Sequence, residues 1–548
     1  MIAGESKAQG IDTTLFVSAP ILSCPTDSSI VIRAVPKTGM SVFYEYGTAP
    51  GVYSTQTAAA QTVPDVPVKT IISNLLPATR YYYRLNYKLN GTTQWINCAE
   101  YTFITQRARG SSFCFTIRGD SHLYDKKGNG PLMKITMENI NADRPDFDFE
   151  MGDTFGDDRN PSAISQQDMM RLHLNYLKYL GVTGHSAPFY FCIGNHEGES
   201  GYWLLQTPPN NLAVWGTLAR KYYYTLPSPS GFYKGNAVPE GYGMGLPENY
   251  YSWEWGDALF VVLDCYRYSA ANSSAGGWDW TIGDGQYQWF KQTLESSSAR
   301  YKFVFAHQVL GYGRGGIVNA TKFEWGGYSN NGSWDFTANR PGWPVPLHQL
   351  MKANGVNILF HGHDHLFAKE VLDDIIYQEV PMPSDSTYMI GWLANSDAYS
   401  GDILSGSGHL KVTVSPGNAK VEYIAAYLPA DTNGTHINGK AVYSYSVNTA
   451  ASAVEENTEF TPGFRLEQNY PNPFNTETLI KYSVPEIVNA NLSVYNIFGE
   501  EISNLVNGNI NPGQHESVLN AADLPPGVYF CRFKSSKFDK TIKISLIK

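Results

Sequence analysis

The sequence predicts a multidomain fold: an N-terminal β-sandwich, a central α/β layered domain and a small C-terminal β-sandwich. Three observations lead to this prediction. The chain has 548 residues, which is too many for one hydrophobic core. Near residue 111 the pattern changes from strands alone to strands that alternate with helices. A segment rich in Ala, Ser, Asn and Glu, within 447–462, reads as a linker before the last group of strands.

Residues 14–106 are predicted to be all-β, because short β-branched or alternating runs lie between Pro, Gly and Asn turns. The predicted strands are Ile30–Val35, Ser41–Tyr46, Thr70–Asn74, Tyr81–Leu89 and Tyr101–Thr105. The run from Leu75 to Tyr83 (LLPATRYYY) resembles the tyrosine corner of fibronectin type III domains, in which a tyrosine hydroxyl bonds back to the backbone. This resemblance implies a fibronectin type III-like sandwich.

Residues 111–446 alternate between strands and helices, which indicates an α/β layered domain. The predicted helices are Pro131–Ala142, Gln166–Leu180 and Gly285–Ser296. The predicted strands are Phe113–Arg118, Phe147–Met151, Phe189–Ile193, Ala258–Leu263, Tyr301–Phe305, Gly355–Phe360, His409–Val414 and Lys420–Ala425.

Polar side chains follow five of these strands at the point where each strand ends. They are Asp120, His122, Asp153, Asn195, His307, His363 and His365. Ligands of α/β sheets bind at the carboxyl ends of the strands, so we expect these side chains to converge. Histidines two apart on an extended backbone point to the same side, so His363 and His365 should reach one point. Taken alone, the stretch that contains them is equally consistent with a His-rich surface loop.

Mixed carboxylate, imidazole and amide donors suit Mn, Fe, Zn or Ni better than Ca. Seven donors are too many for one tetrahedral zinc, and they suit two ions roughly 3.5–4 Å apart that share a carboxylate. Asp153 stands alone at its strand end and is the predicted bridge.

The same clusters resemble the motifs of the calcineurin-like metallophosphoesterase family, and they occur in the family's order. They are Asp120-Ser-His122, Gly152-Asp153, Gly194-Asn195-His196-Glu197, the lone His307 after an apolar strand, and Gly362-His363-Asp-His365. The resemblance covers residues 111–446 and implies a four-layer α/β sandwich. It also implies that one ion is held by Asp120, His122, Asp153 and His365, and the other by Asp153, Asn195, His307 and His363.

By the same resemblance, His196 is no metal ligand but the catalytic group that assists the leaving oxygen or the transferring phosphoryl group. The alternative is a purely structural histidine. The N-terminal sandwich, the Gly-Asn-His-Glu motif and Val304-x-x-His307 resemble purple acid phosphatases. Those enzymes have Gly where this chain has His122, and a ligand Tyr where it has Gly156. Asp157 and Asp158 are candidates to orient His196.

The resemblance implies a phosphoesterase in which a metal-bound hydroxide attacks a phosphate monoester. A phosphodiesterase or nucleotidase with the same metals is the first alternative. A surface adhesion protein with an inactive catalytic domain is the second.

Two long insertions, Tyr202 to Tyr251 and Leu310 to Pro344, are expected to wall the site. Arg267, Arg314 and Arg340 lie in loops after strands and are candidates to bind phosphate oxygens, or else structural arginines. Trp325, Tyr328 and Trp334 either stack on an aromatic leaving group or pack within the second insertion.

Charge and hydropathy exclude two classes of protein. The net charge of −10 argues against binding to nucleic-acid polymers, which requires a basic face. No apolar run approaches the ~20 residues that span a membrane.

Among the six cysteines, Cys24 and Cys98 fall in the first domain and are candidates to pair, whereas Cys114 and Cys192 are predicted to be buried thiols.

Residues 463–548 are predicted to form the C-terminal sandwich, with strands near Leu479–Val484, Asn491–Asn496, Val528–Lys534 and Lys540–Leu546. Three stretches carry a specific resemblance to the sorting domain of the bacterial type IX secretion system. They are Leu466–Asn475 (LEQNYPNPFN), Val494–Gly499 (VYNIFG) and Leu524–Tyr529 (LPPGVY). This resemblance implies the type IX machinery as a partner and a secreted or cell-surface location. A carbohydrate-binding sandwich is the alternative.

Overall fold

The computed structural model describes residues 10–125, 127–155, 163–271, 277–309, 313–390, 396–448, 464–469, 471–511 and 513–547. The chain divides into two compact units, Met1–Asn457 and Thr458–Lys548. Most of the predicted linker, from residue 449 onwards, lies outside the described ranges. Within those ranges, no helix combines the length and the hydropathy of a membrane-spanning segment.

From residue 10 to residue 106, the N-terminal part of the first unit contains eight strands. They are β1 (Ile21–Ser23), β2 (Ser29–Ala34), β3 (Met40–Gly47), β4 (Thr55–Gln56), β5 (Ala60–Gln61), β6 (Val68–Ser73), β7 (Arg80–Leu89) and β8 (Ile96–Ile104). One sheet has the order β4-β3-β7-β8, with β5 beside β3, and it faces β1, β2 and β6. Inward residues such as Ile30, Tyr44 and Tyr83 form a core of their own between the two sheets.

The predicted tyrosine corner is present. The hydroxyl of Tyr81 accepts a hydrogen bond from the backbone N–H of Leu76 at 2.8 Å. Tyr81 is buried, so this bond fixes the turn that leads from β6 into β7.

Cys24 and Cys98, which the sequence left as candidates to pair, form no disulfide, because both thiols are free. Cys98 belongs to the core of the N-terminal sandwich. Cys24 belongs to the central core and its thiol points to the carbonyl of Thr225 at 3.5 Å. Strand β1, which ends just before Cys24, faces two cores, since Ile21 belongs to one and Leu22 to the other, and the spacing of cysteines along the sequence does not reveal this. Cys192 is buried as expected, whereas Cys114 is partly exposed.

The central part of the first unit contains fourteen strands and nine α-helices among its described residues. The strands are β9 (Phe113–Arg118), β10 (Phe147–Glu150), β11 (Phe189–Phe191), β12 (Lys234–Gly235), β13 (Tyr251–Trp255), β14 (Ala258–Leu263), β15 (Tyr301–Ala306), β16 (Ile358–His361), β17 (Phe367–Leu372), β18 (Ile375–Glu379), β19 (Asp402–Leu404), β20 (Ser407–Val414), β21 (Asn418–Ala426) and β22 (Ala441–Asn448). The helices are α1 (Gly130–Asp143), α2 (Gln166–Leu180), α3 (Gly201–Leu204), α4 (Leu212–Tyr223), α5 (Asp284–Ser296), α6 (Ile317–Ala320), α7 (Phe323–Gly326), α8 (Phe336–Asn339) and α9 (Leu347–Ala353).

Two sheets pack face to face in this central part. The first has the order β22-β21-β20-β9-β10-β11-β1-β2-β6, and the second β12-β13-β14-β15-β16-β18-β17-β19. Aromatic rings fill the space between them; for example, Phe149 and Phe305 stack with centroids 4.0 Å apart. Residues of α1 and α2 join this central core, whereas α5 and α9 contribute to a second core with the other face of β14 and β15. The predicted four-layer α/β sandwich is therefore confirmed.

The first sheet continues into the N-terminal sandwich. Strand β1 pairs in parallel with β11, with Ser23 opposite Phe189. The N–H of Leu22 also donates to the carbonyl of Gly184 at 2.8 Å. The sandwich and the central domain therefore share one sheet, although the sequence pattern treats them as separate domains.

Polar side chains cap the first turn of two of the three predicted helices. The side chain of Asn129 caps α1 by accepting from the N–H of Leu132 at 3.0 Å. Ser165 and Asp168 form a capping box at the start of α2.

The described residues of the second unit form a β-sandwich of seven strands. Its strands are β23 (Arg465–Leu466), β24 (Glu477–Val484), β25 (Val488–Tyr495), β26 (Glu501–Ile510), β27 (Gly513–Asn520), β28 (Gly527–Ser535) and β29 (Asp539–Leu546). Sheets of order β23-β24-β27 and β26-β25-β28-β29 enclose a core that includes Ile480, Leu492 and Phe533. Strands β26 and β27 have no counterpart in the prediction because they contain many polar residues and Gly, which are depleted in strands or hide the alternating pattern.

Candidate metal centre

The seven predicted ligands converge at one edge of the paired sheets. Parallel strands β9, β10 and β11 present Asp120, Asp153 and Asn195 just beyond their carboxyl ends, while β15 and β16 present His307 and His363 from the other sheet. Backbone hydrogen bonds join these strand ends directly. The N–H of Asp120 donates to Gly152 O at 2.9 Å, and the N–H of Gly362 donates to His307 O at 2.9 Å.

The ligand atoms form two groups that share one carboxylate. Asp120, His122, Asp153 and His365 form the first group, and Asp153, His307 and His363 form the second. In each group all the ligand atoms lie within 4.8 Å of one another. Asn195 completes the second group, because its Oδ1 lies 2.9 Å from His363 Nδ1 and 3.1 Å from His307 Nε2.

Asp153 lies between the two groups. Its Oδ2 is 3.7 Å from His122 Nε2 and 3.5 Å from His307 Nε2. His122 Nε2 and His365 Nε2 face each other at 3.0 Å. In the tautomer that carries its proton on Nδ1, each ring presents the lone pair of Nε2 to the same point, where it can bind a common cation.

Outer contacts fix the orientation of the histidine rings. His307 uses Nδ1 to donate to Met151 O at 2.7 Å, which leaves Nε2 facing the carboxylates. The Nδ1 atom of His122 lies 3.0 Å from the hydroxyl of Tyr124. Both rings are therefore held with Nε2 towards the shared centre.

Several ligands have a backbone conformation that side chains rarely adopt. The residues with positive φ are Asp120 (59°), His122 (44°), Asp153 (55°), His363 (81°) and His365 (64°). The spacing of His363 and His365 predicted an extended backbone, and this prediction is wrong, because both residues have positive φ. The two histidines also lie in different ligand groups. Such conformations cost free energy and persist where the surroundings enforce them, which is typical of functional sites.

The glycines of the motifs allow the strand ends to approach one another. A Cβ atom at Gly362 would overlap the carboxylate of Asp120, and one at Gly194 would overlap the side chain of Asp153. Glycine is therefore the residue that these two positions require.

The charges of the site favour a cation. Asp120 and Asp153 are fully buried, and within the described residues their ion-pair partners are all histidines. Burial opposes a proton on His307, but the carboxylates of Asp153 and Asp120 outweigh it and raise the pKa of His307 to about 10. Burial lowers the pKa of His363 and of His365 well below the usual range. The donor set thus fits divalent or trivalent metals, whose charge would replace the proton on His307.

Glu197 supports the shared carboxylate, a role that the sequence analysis did not assign. Its Oε2 accepts from the N–H groups of Asp153 and Gly194 at 2.9 and 2.7 Å. Its Oε1 accepts from those of Thr154 and Phe155 at 2.6 and 3.1 Å. Burial and then the charge of Asp153 raise the pKa of Glu197 to about 7. In the sequence, the one indication of this supporting role was the position of Glu197 at the end of the Gly-Asn-His-Glu motif.

A second buried acid, Glu379, supports the loop His363-Asp364-His365, called the histidine loop below. Its Oε1 accepts from the N–H groups of Asp364 and His365 at 2.9 and 3.2 Å. Glu379 is the last residue of β18, so no motif pointed to it.

His196 lies beside the ligand groups rather than within them. Its Nε2 is 4.0 Å from Asp153 Oδ2, and its side chain is 17% exposed, whereas that of Asp153 is 1% exposed. Asn195 and His363 are also partly exposed, so these three residues mark the open face of the centre. Asp157 and Asp158, the candidates to orient His196, and Gly156 lie outside the described residues.

The three candidate arginines differ in their surroundings. Arg267 is buried, pairs with Glu240 and donates to Glu199 O at 2.9 Å. Arg340 pairs with Glu324 at 2.9 Å within the second insertion. Both guanidinium groups are engaged in structural contacts, which leaves Arg314 as the candidate at the metal centre. Arg314 donates to Asp364, the residue between His363 and His365, at 3.0 Å.

The aromatic residues of the second insertion pack within it. Trp325 is buried, and Tyr328 and Trp334 meet edge to face at 5.1 Å. These contacts favour the packing alternative over stacking on a leaving group.

Residues 115–367 match the family model described as calcineurin-like phosphoesterase. The central domain is a calcineurin-like phosphoesterase. The protein is accordingly a metal-dependent phosphoric ester hydrolase, and its Asp and His clusters are consistent with metal binding.

Two solved structures resemble the phosphoesterase in fold. The structure of PhoD is 16% identical, with a TM-score of 0.57, and the match covers 83% of this chain and 94% of that chain. Purple acid phosphatase PPD1 from yellow lupin (Lupinus luteus) seeds is 17% identical, with a TM-score of 0.52, and covers 79% of this chain and 74% of that chain. No curated protein sequence matches the chain.

Residues 468–548 match the family model of the secretion system C-terminal sorting domain. The phosphoesterase is therefore exported by the type IX system to the cell surface or beyond it. Residues of the stretches Leu466–Asn475 and Leu524–Tyr529 make hydrogen bonds within the sorting domain. For example, Asn469 Nδ2 donates to Thr478 Oγ1 at 2.9 Å, and Tyr529 donates to Pro525 O at 2.7 Å.

Replacement of Glu197 by Gln should weaken metal binding by ~10–100-fold, because an amide cannot accept from all four backbone N–H groups that hold Asp153 in place. Competition titration of Mn²⁺ or Zn²⁺ against a chelator measures this loss. Glu138→Gln, at an exposed position of α1, is the matched control and should bind as the wild type does. Equal affinity of Glu197→Gln and wild type would contradict the role given to Glu197.

Proposed function

We propose that this secreted phosphoesterase hydrolyses phosphate monoesters at a dinuclear metal site. One cation would be held by Asp120, His122, Asp153 and His365, and the other by Asp153, Asn195, His307 and His363. The observation that carries the proposal is that both groups share Asp153 and open towards His196. Two cations in such a site supply an activated water and neutralise charge on the phosphoryl oxygens.

The residues of the chain perform the remaining tasks. The left-handed backbone of Asp120, His122 and Asp153 fixes the donor atoms before substrate binds. The free energy needed to reorganise the site is therefore small. Aromatic side chains such as Phe149 and Phe305 pack between the two sheets and support the strand ends from beneath. His196 stands at that face, with its backbone N–H bound to Asp153 Oδ1 at 2.9 Å, and donates a proton to the leaving oxygen.

A phosphodiesterase or nucleotidase is the alternative, because the same donors serve either ester. The distinction depends on how the site treats the second negative charge of a monoester. Arg314, a cation beside the histidine loop, favours the monoester because it adds positive charge near the ligand His363.

A substrate panel tests the proposed activity. The manganese-, iron- or zinc-loaded protein is assayed with an aryl phosphate monoester, the corresponding diester and a nucleoside monophosphate. We expect the highest kcat/KM for the aryl monoester and loss of activity when a chelator removes the metal. A higher kcat/KM for the diester would reverse the assignment, and no hydrolysis of any ester would favour an inactive surface protein.

Replacement of His196 by Asn should lower kcat for the aryl monoester by ~10²–10⁴-fold, since proton donation to the leaving group is lost. Metal content should remain that of the wild type, because His196 lies outside both ligand groups. The exposed His436, changed to Asn, serves as the control. If the His196 variant lost metal in proportion to activity, His196 would be a ligand or a structural residue instead.

A further inference from the structure

We propose that Arg314 is the residue that selects phosphate monoesters over diesters, and that Asp364 positions it for this task. The inference rests on the proposed function and adds a determinant of specificity to it. Asp364 is the middle residue of His363-Asp364-His365, so it connects the metal ligands to the loop that carries Arg314.

The loop that carries Arg314 is held rigidly. Asn319 Nδ2 donates to the carbonyls of Arg314 and Gly315 at 2.8 and 3.0 Å. Gln308, next to the ligand His307, donates to Gly313 O at 2.6 Å. The N–H of Ile317 donates to the buried Glu370 at 3.0 Å. The backbone on both sides of Arg314 is therefore fixed relative to the second sheet, which contains β15 and β17.

Asp364 binds this loop at two points. Its Oδ1 accepts from Arg314 Nη1 at 3.0 Å, and its Oδ2 accepts from the N–H of Gly315 at 2.7 Å. Tyr399 donates to the same Oδ2 at 2.7 Å, so the carboxylate cannot rotate away. Asp364 itself is 2% exposed, whereas the side chain of Arg314 is 43% exposed.

Most of the guanidinium remains available. Within the described residues, the one side-chain hydrogen bond of Arg314 is the bond from Nη1 to Asp364. The side chain is 43% exposed, and the residue that anchors it, Asp364, directly follows His363 in the chain. An anchored guanidinium with free donors is preorganised to bind a phosphate oxygen.

The charge of the substrate explains the selectivity. A phosphate monoester carries about −1.5 to −2 charges at pH 7, and it presents three terminal oxygens. A diester carries a single charge and has one of those oxygens esterified. If two oxygens contact the cations, a monoester keeps a third, charged oxygen for Arg314, whereas a diester presents an ester group there.

Kinetics of three variants test the inference: Arg314→Ala, Asp364→Asn and the double variant. Substitution of Arg314 should lower kcat/KM for the aryl monoester by ~10–100-fold, because a charged hydrogen bond is lost. Most of this loss should appear in KM, and the inhibition constant of inorganic phosphate should rise with it. The diester should lose less than about threefold, since it makes no such bond. Metal content should stay at the wild-type level in every variant.

Asp364→Asn should reproduce part of the monoester defect in the wild-type background and add nothing in the Arg314→Ala background. Arg171→Ala, at an exposed position of α2, is the control and should leave both activities unchanged. Equal losses for monoester and diester in Arg314→Ala would overturn the selectivity. An undiminished Asp364→Asn effect in the double variant, or loss of metal, would show that Asp364 serves the histidine loop instead. A wild type that hydrolyses neither ester would refute the proposed function rather than this inference.

Discussion

The structure depends on the burial of one carboxylate at the junction of two sheets. Asp153 is inaccessible, adopts a left-handed backbone and has its N–H bound by Glu197. An unpaired carboxylate in such a place would be costly, and the histidines around it offset this cost when one of them is protonated or when a cation is bound. The other predicted ligands, which the ends of five strands present, are arranged around this residue.

The rest of the first unit holds the strand ends in register. The aromatic layer between the sheets is packed from both sides, so β10 and β15 cannot slide without separating stacked rings such as Phe149 and Phe305. The N-terminal sandwich extends the first sheet through β1 and β11, and this continuity stabilises the edge next to the strand that presents Asn195. A structural role for the sandwich follows from that shared sheet.

Much of this architecture could be predicted from the sequence. Strands Phe113–Arg118 and Ala258–Leu263 and helix Gln166–Leu180 have the predicted bounds, because each is long, strongly patterned and flanked by clear breakers. The residues that converge at the candidate metal centre could be predicted because each lies just beyond the end of an apolar strand. Glu197, Glu379 and Asp364 were not assigned their roles, because these acids act through backbone N–H groups and loops whose proximity only the folded chain reveals. The separation of Cys24 from Cys98 and the shared sheet depend likewise on contacts between segments distant in sequence.

Anomalous diffraction from crystals of the manganese-loaded protein tests the central claim most directly. The account predicts two anomalous peaks roughly 3.5–4 Å apart, with the carboxylate of Asp153 between them. A single peak, or two peaks that do not share Asp153, would contradict it.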